Sequence, residues 1–307
     1  MCIALWALDY QDYALILCSN RDEFLSRPTQ DAHFHNFEDV NEAGSAEGNV
    51  LSGRDVIAGG TWFGVTRTGK VALLHVSDYV RTNITEPVKA YEMSRGYLTS
   101  SILLSDSSES LEDQVGRIVP QDARFAGFNL LLLAPSAPRP DGSLHFDPLF
   151  VTNHGSGGIV TSRPLSTRER FCGCVSNAID GLKDDWPKVQ QATEKFNDVL
   201  QTLSTGTTEA EFTDRLFDVL AWRSPEPVTQ RSQLRNTVQV APVPITLEGV
   251  PNVGSNSYGT RLSTILFIKK SGHAVFIERD IWKLVDGQAV RADPGSQRIF
   301  HFQVKPQ

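Results

Sequence analysis

The chain has 307 residues, of which 40% are hydrophobic and 21% are charged, proportions that are ordinary for a globular protein. Its 23 glycines and 16 prolines are close to average usage, which excludes collagen-like and low-complexity sequences. The formal net charge of −7 argues against a polybasic membrane anchor and against nucleic acid as a partner, because both need clustered positive charge.

The sequence shows no signal for membrane insertion or secretion. Apolar runs such as residues 3–8 and 130–134 are far shorter than the roughly 20 residues of a spanning helix, so we predict no integral membrane segment. The first basic residue is Arg21, and the charged region of a secretory signal is therefore missing. We expect a cytoplasmic protein whose four cysteines are free thiols.

The first elements in chain order have the pattern of strands joined by tight turns. The apolar runs 2–8 and 13–18 flank a polar turn, which predicts a hairpin whose second strand ends at residues 20–23. Residues 29–58 are polar and without periodicity, and we predict an irregular segment there. A second hairpin is predicted for residues 61–76, where a turn containing glycine separates two apolar runs.

The remaining chain alternates between helical and extended patterns. Helices are predicted for residues 87–104, 109–118, 187–203 and 208–222. Strands are predicted for residues 128–133, 145–153, 159–161, 262–268, 274–281 and 298–304. Residues 224–257 are proline-rich and predict a long irregular segment. This order of strands and helices favours an α+β fold with antiparallel sheets, which we expect to form one domain over residues 1–307.

The second residue carries the first chemical signal. Cys2 follows Met1, and removal of an initiator methionine in cells favours small second residues such as cysteine. The processed chain presents a thiol, with an ordinary pKa of about 8.5, beside its own α-amine, with a pKa of about 8. Such an amine can take the proton of the thiol, as an N-terminal amine does for threonine nucleophiles. The alternative interpretation of Cys2 is a small apolar core residue.

A charged tetrapeptide, Asn20-Arg21-Asp22-Glu23, ends the strand that pairs with the first strand. In a tight hairpin of this length, residue 2 lies beside the region around residue 20. A carboxylate there would hold the α-ammonium, and a guanidinium would favour the thiolate. The alternative is a surface cluster of ion pairs at the end of a strand.

Motifs along nearly the whole chain resemble the NRDE family, also called the Transport and Golgi organisation protein 2 family. They are Met1-Cys2, Asn20-Arg21-Asp22-Glu23, Ser26-Arg27-Pro28, Gly59-Gly60-Thr61-Trp62-Phe63-Gly64, Gly127-Phe128-Asn129-Leu130, Val175-Ser176-Asn177-Ala178, Tyr258-Gly259-Thr260-Arg261 and Ile277-Glu278-Arg279. The resemblance implies an Ntn-hydrolase-like (N-terminal nucleophile) fold, an αββα four-layer sandwich with two antiparallel sheets. Relatives of that fold include acylases that cleave amides through an N-terminal cysteine.

The resemblance also implies roles for individual residues. Cys2 matches the nucleophile, and Asp22 matches the aspartate that contacts the free amine. Asn177 resembles the asparagine whose side chain serves the oxyanion hole, where such a donor is worth about 3–4 kcal/mol in the transition state. The alternative interpretation of Asn177 is a turn or a helix cap.

Two arginines and three further residues complete the predicted site. Arg21 is assigned to the catalytic group from its place in the tetrapeptide, and Arg261 is the candidate for a second active-site arginine. A surface arginine at a strand end is the alternative for Arg261. We predict that Asn20, Trp62 and His75 contribute to substrate binding.

The chain departs from the family pattern at two positions. Ser19 stands where related acylases carry an arginine. Many relatives have Leu-Thr-Asn where this chain has Leu74-His75-Val76, which leaves the second oxyanion donor open, with His75 and Ser77 as the candidates.

Two functions remain open from the sequence. The first is an Ntn-type hydrolase or acyltransferase that uses Cys2 on an amide, ester or thioester of a small-molecule acyl substrate. The second is a non-catalytic protein of haem or lipid trafficking, or of Golgi organisation, associated peripherally with the Golgi, the endoplasmic reticulum or mitochondria. We predict no metal site, since Cys172 and Cys174 supply too few ligands for zinc. Haem is the candidate cofactor for the second function.

Overall fold

The computed structural model describes residues 1–38, 48–77, 91, 93–120, 122–137, 139–182, 186–245 and 257–305. Most of their strands belong to two large sheets in which all strand pairs are antiparallel. Within these described residues, no helix is long and apolar enough to cross a bilayer.

The terminal sheet combines strands from the beginning and the last third of the chain with one short strand from its middle. In spatial order it contains β10 (Gly173–Val175), β1 (Ile3–Tyr10), β2 (Tyr13–Phe24), β12 (Ser257–Lys269), β13 (His273–Asp280) and β16 (Arg298–Gln303), with β11 (Val243–Pro244) paired to β12. The predicted hairpins at its centre, β1–β2 and β12–β13, are confirmed.

The central sheet follows the chain order from one edge to the other. It contains β3 (Thr29–His35), β4 (Val50–Asp55), β5 (Phe63–Thr66), β6 (Val71–Val76), β7 (Phe128–Pro135), β8 (Phe146–Thr152) and β9 (Thr161–Pro164). A separate ribbon pairs β14 (Trp282–Val285) with β15 (Gln288–Arg291).

Five α-helices are present among the described residues. They are α1 (Arg95–Leu104), α2 (Leu111–Ile118), α3 (Thr167–Phe171), α4 (Pro187–Gln201) and α5 (Glu209–Leu220). A 3₁₀ helix, Arg231–Asn236, lies in the proline-rich segment. Residues 246–256 of the segment predicted to be irregular lie outside the described residues.

Strand periodicity explains the layers. Along β1, the side chains of Ala4 and Trp6 lie in the core between the two sheets, and those of Ile3 and Leu5 lie in a second core on the other face. Because both faces are buried, β1 is apolar at every position from 3 to 8, a pattern that strands covered on both sides share.

Helices cover the two outer faces of the sheets. Phe196 of α4 and Phe212 of α5 pack on the terminal sheet, while Leu98 of α1 and Leu111 of α2 pack on the central sheet. The predicted αββα four-layer sandwich with two antiparallel sheets is therefore confirmed.

Two predicted boundaries were wrong. Residues 29–58 contain β3 and β4 rather than an irregular segment, and residues 39–47 within that range lie outside the described residues. Because β3 is an edge strand with mostly half-buried side chains, it lacks the apolar alternation by which strands are recognised. Of the helix predicted from residue 87, residues 87–90 and 92 lie outside the described residues. The described helix begins at Arg95, where the Gly96 N–H donates to the capping Ser94 hydroxyl at 3.2 Å.

The helices on the terminal sheet, α4 and α5, should stabilise the protein mainly through their buried leucine and phenylalanine side chains. We expect Leu216→Ala, at a fully buried position of α5, to lower the free energy of unfolding by about 2–5 kcal/mol. Leu104→Ala, at a position of α1 that is 43% exposed, should change it by less than about 1 kcal/mol. Urea unfolding at constant m-value measures both, and equal losses would contradict the assignment of α5 to the core.

Candidate active site

The β1–β2 register places Cys2 beside Asp22. Ile3 lies opposite Asn20 in the ladder, so residue 2 extends toward the end of β2. The Asp22 backbone N–H donates to the Cys2 Sγ at 3.3 Å, and this Sγ lies 3.6 Å from the Asp22 carbonyl oxygen. The sulfur atom is thus fixed by backbone groups, which do not depend on side-chain rotamers.

The Asp22 carboxylate binds the terminal ammonium, which in this structure belongs to Met1. The Oδ2 atom lies 3.0 Å from the Met1 nitrogen, and Oδ1 accepts a hydrogen bond from the Thr260 hydroxyl at 2.6 Å. The same ammonium donates to the Tyr258 hydroxyl at 2.6 Å, and that hydroxyl donates to the Asp22 carbonyl at 3.1 Å. A buried carboxylate and a buried ammonium therefore neutralise each other.

Burial controls the protonation of both reactive groups. It lowers the pKa of the Met1 ammonium, an effect that the Asp22 carboxylate opposes. It raises the pKa of the Cys2 thiol, and here the Asp22 charge adds to the increase. The neutral thiol and a readily deprotonated amine are thus both favoured by the same cause, the removal of charge from water.

A buried lysine contacts the backbone of the first two residues. Lys188, fully buried at the start of α4, donates from its Nζ to the Met1 carbonyl oxygen and to the Cys2 carbonyl oxygen, the latter at 3.2 Å. Burial lowers the pKa of this lysine, while the charges of Asp22 and Cys2 act in the opposite direction. The Ser176 hydroxyl also donates to the Cys2 carbonyl, at 2.6 Å.

Arg21 lies on the face of β2 opposite to Asp22. Its guanidinium stacks on Trp62 at 4.0 Å from the ring centroid, and one of its nitrogens is 3.7 Å from a carboxylate oxygen of Asp55. Arg261 is the extra residue of a bulge where β12 pairs with this part of β2, and it donates to the Arg27 carbonyl. Burial, followed by the positive charge of Arg21, lowers the pKa of Arg261.

The loop that carries Asn177 is held by an asparagine of the central sheet. The Asn129 amide donates to the Ser176 carbonyl at 3.3 Å and to the Ala178 carbonyl at 2.7 Å. Asn177 itself is buried, and its Oδ1 atom has no hydrogen-bond partner among the described residues. Its side-chain oxygen is therefore available to a ligand that donates a hydrogen bond.

His75 and Ser77 also carry buried polar atoms without partners in the described part of the chain. They are the His75 Nδ1 and the Ser77 hydroxyl oxygen. Burial lowers the pKa of His75 to about 3, and the charges of Lys188 and the terminal ammonium contribute to this shift. His75 is neutral at physiological pH and lies near the charged groups of the chain start.

The structure does not bring Asn20 into this group. Its amide donates to the carbonyls of Leu220 and Val238 at 2.9 and 3.1 Å and accepts from the Ser263 hydroxyl at 2.6 Å. Its two amide hydrogen bonds join the sheet to the end of α5 and to the segment after it. A role of Asn20 in substrate binding stays a prediction.

Sequence reasoning missed several residues that complete the site. Lys188, Tyr258, Thr260 and Asn129 contact the chain start or the Asn177 loop, and none of them was assigned a role. A signal for Lys188 was present, because it precedes Ala192 and Phe196 at intervals of four on the buried face of α4. A lysine on an apolar helical face is expected to have buried partners.

A cavity of about 610 Å³ opens beside the site. Ser176, Trp186 and Val189 line it near Cys2, and Arg163, Glu169 and other charged groups line its remaining wall. The Cys2 side chain itself does not line this cavity, but Ser176 connects the two through its hydrogen bond to the Cys2 carbonyl.

The buried neutral state of His75 generates a prediction for acid stability. The unfolded chain takes up a proton here near pH 6.5 and the folded protein only near pH 3, so the free energy of unfolding falls as pH drops through this interval. We expect His75→Asn to reduce the loss between pH 6 and 4.5 by about 1–2 kcal/mol. Urea unfolding at both pH values measures the slopes, and identical slopes would contradict a buried neutral imidazole.

Comparison with known proteins agrees with the motifs. The family model described as Transport and Golgi organisation 2 matches residues 1–283. The Transport and Golgi organization 2 homologs of Mus musculus and Homo sapiens are each 27% identical to this chain over 290 residues, which cover 92% of this chain and 93% of each relative.

Solved structures with a similar arrangement include two hydrolases. A mutant conjugated bile acid hydrolase from Clostridium perfringens is 10% identical, with a TM-score of 0.48 over 100% of this chain and 98% of that chain. An N-acylethanolamine-hydrolyzing acid amidase ortholog from Caenorhabditis elegans is 11% identical, with a TM-score of 0.45 over 86% and 92%. On the match of the family model over residues 1–283, the chain belongs to the Transport and Golgi organisation 2 family, whose alternative name is NRDE.

Proposed function

We propose that this protein is a cysteine-dependent acyl-transfer enzyme, a hydrolase or an acyltransferase, that acts through Cys2 after removal of Met1. The observation that carries the proposal is the pairing of Cys2 with Asp22. The backbone N–H of Asp22 donates to the Cys2 sulfur at 3.3 Å, and the carboxylate of the same residue lies 3.0 Å from the terminal ammonium. Nucleophile, terminal nitrogen and the group that positions them thus share one strand end.

The first step is the attack of the Cys2 sulfur on an acyl carbon. With Cys2 as the first residue, its neutral α-amine takes the thiol proton while the sulfur forms a bond to the carbonyl carbon of the substrate. Asp22 stabilises the resulting α-ammonium. Burial keeps the amine neutral before the transfer, because it disfavours charge, and the Asp22 carboxylate offsets the cost of the positive charge that the transfer creates on the amine.

The negative charge of the tetrahedral intermediate requires buried donors. Lys188 is already aimed at carbonyl oxygens of residues 1 and 2, and the Asn177 amide lies on the loop that is fixed to Cys2 through Ser176. When the intermediate breaks down, the leaving amine, alcohol or thiol takes the proton from the α-ammonium, and a thioester remains on Cys2. Water or an acceptor then attacks the thioester and restores the thiol.

A non-catalytic function is the second candidate, and one observation favours it. While Met1 is retained, Cys2 has no amine of its own, and burial raises the pKa of its thiol. Such a chain would be unreactive and would serve in binding, as the name of the family, with its reference to transport and Golgi organisation, suggests. Haem or a lipid is then the ligand, with peripheral association with the Golgi, the endoplasmic reticulum or mitochondria in place of a cytoplasmic location.

Intact-mass measurement after incubation with acyl esters and acyl thioesters separates the two candidates. We expect a chain that begins at Cys2 to gain the mass of one acyl group, whereas Cys2→Ala gains none. Asp22→Asn should slow acylation by about 10²- to 10³-fold, because the amine loses the group that stabilises its charged form.

Cys172→Ala is the matched control, since Cys172 is another partly buried free thiol and lies outside the site. Its acylation rate should equal that of the parent chain. Retention of Met1 in the native host, or a haem-dependent Soret shift that Cys2→Ala abolishes without any acyl adduct in the parent chain, would favour the binding function.

A further inference from the structure

We propose that Met1 occupies the acyl-binding pocket of this enzyme, and that the substrate carries an uncharged, unbranched acyl group of about six carbons. The inference rests on the proposed function, since the pocket becomes free only when Met1 is removed.

The Met1 residue lies in a closed apolar site. It is 7% exposed and belongs to a buried cluster with Trp186, Leu234, Val240, Val243 and Ile245. A pocket of this composition, once emptied, gains free energy by taking up another apolar chain and loses it by admitting water.

The Met1 carbonyl group has the surroundings of a reacting carbonyl. Its carbon is bonded to the Cys2 nitrogen, and the sulfur of a cysteine reaches the preceding carbonyl carbon by closing a five-membered ring. A thioester on Cys2 can therefore place its carbonyl near the same point without movement of the strand. The oxygen at that point accepts from Lys188, which is the donor that an oxyanion needs.

Charge decides what kind of acyl group the pocket accepts. The terminal ammonium of Met1 is held by Asp22, and after processing the Cys2 amine needs that carboxylate. Lys188 is close enough for its charge to lower the pKa of the terminal ammonium. A substrate with its own α-ammonium would bring a further positive charge beside Lys188, so an uncharged acyl group is favoured.

The length of the acyl group follows from the residue that fills the pocket. From its carbonyl carbon to its terminal methyl group, methionine is an unbranched chain of about six heavy atoms. A hexanoyl group has the same length and nearly the same shape. Longer chains need more room than Met1 occupies, so buried members of the same cluster, such as Val243 and Ile245, would have to move.

Access to the pocket is provided by the neighbouring cavity. Ala178, Trp186 and Val189 belong both to the lining of the cavity of about 610 Å³ and to the surroundings of Met1. Ser176, which binds the Cys2 carbonyl, also lines it. The acyl chain therefore enters from the cavity, and the leaving group remains in its polar part.

The test uses the full chain, prepared with Cys2 as its first residue, and a series of p-nitrophenyl esters from acetate to decanoate. Each methylene up to hexanoate should raise kcat/KM for acylation about fourfold, and longer esters should lose this gain. Val243→Phe should lower the hexanoate-to-acetate ratio at least about tenfold, and Val243→Ala should move the optimum toward octanoate. Val285→Phe, at a position that is 45% exposed on β14, is the control and should keep the profile.

The outcomes separate this inference from the proposed function. Absence of a Cys2 adduct with every ester overturns the proposed function, and the pocket with it. If the acylation rate does not depend on chain length, or if neither Val243 variant shifts the profile, the proposed function stands and the proposed acyl-binding pocket is contradicted. Circular dichroism identifies a Val243→Phe chain that does not fold, and in that case the Val243→Ala profile decides.

Discussion

The position of the chain start depends on one buried ion pair, between the Asp22 carboxylate and the terminal ammonium. Removing either charge from water is costly, and the cost is offset only when the partner and further hydrogen bonds are in place. Thr260 and Tyr258 of β12 supply those hydrogen bonds, so that three segments distant in sequence meet at one point.

The side chains of the charged tetrapeptide lie alternately on the two faces of β2. Asn20 and Asp22 point to the helix side of β2, where one joins the sheet to the segment after α5 and the other binds the ammonium. Arg21 points to the other side and stacks on Trp62 near Arg261. Neighbouring residues in the sequence therefore serve separate purposes, which follows from a side-chain period of two.

The sequence predicts this fold well where burial imposes a clear period. The β1–β2 and β12–β13 hairpins and helices α4 and α5 all bury apolar faces, and their patterns identified them. The edge strand β3 was not predicted, because its half-buried side chains do not produce an alternation of apolar and polar residues. Within the site, the pairing of Cys2 with Asp22 follows from hairpin register alone. The contacts of Lys188 and Asn129 could not be predicted, since they depend on how separate layers pack.

Lys188 is the residue whose presence most needs a physical explanation. A cation at the second position of a helix faces the positive end of the helix dipole, and complete burial adds a desolvation cost. An apolar side chain at position 188 would give a more stable fold. Its hydrogen bonds to the carbonyls of Met1 and Cys2, and its attraction to the charge of Asp22, offset these costs only at the chain start. A lysine that is unfavourable for its helix and favourable for negative charge beside Cys2 is what the proposed acyl transfer at this sulfur would require.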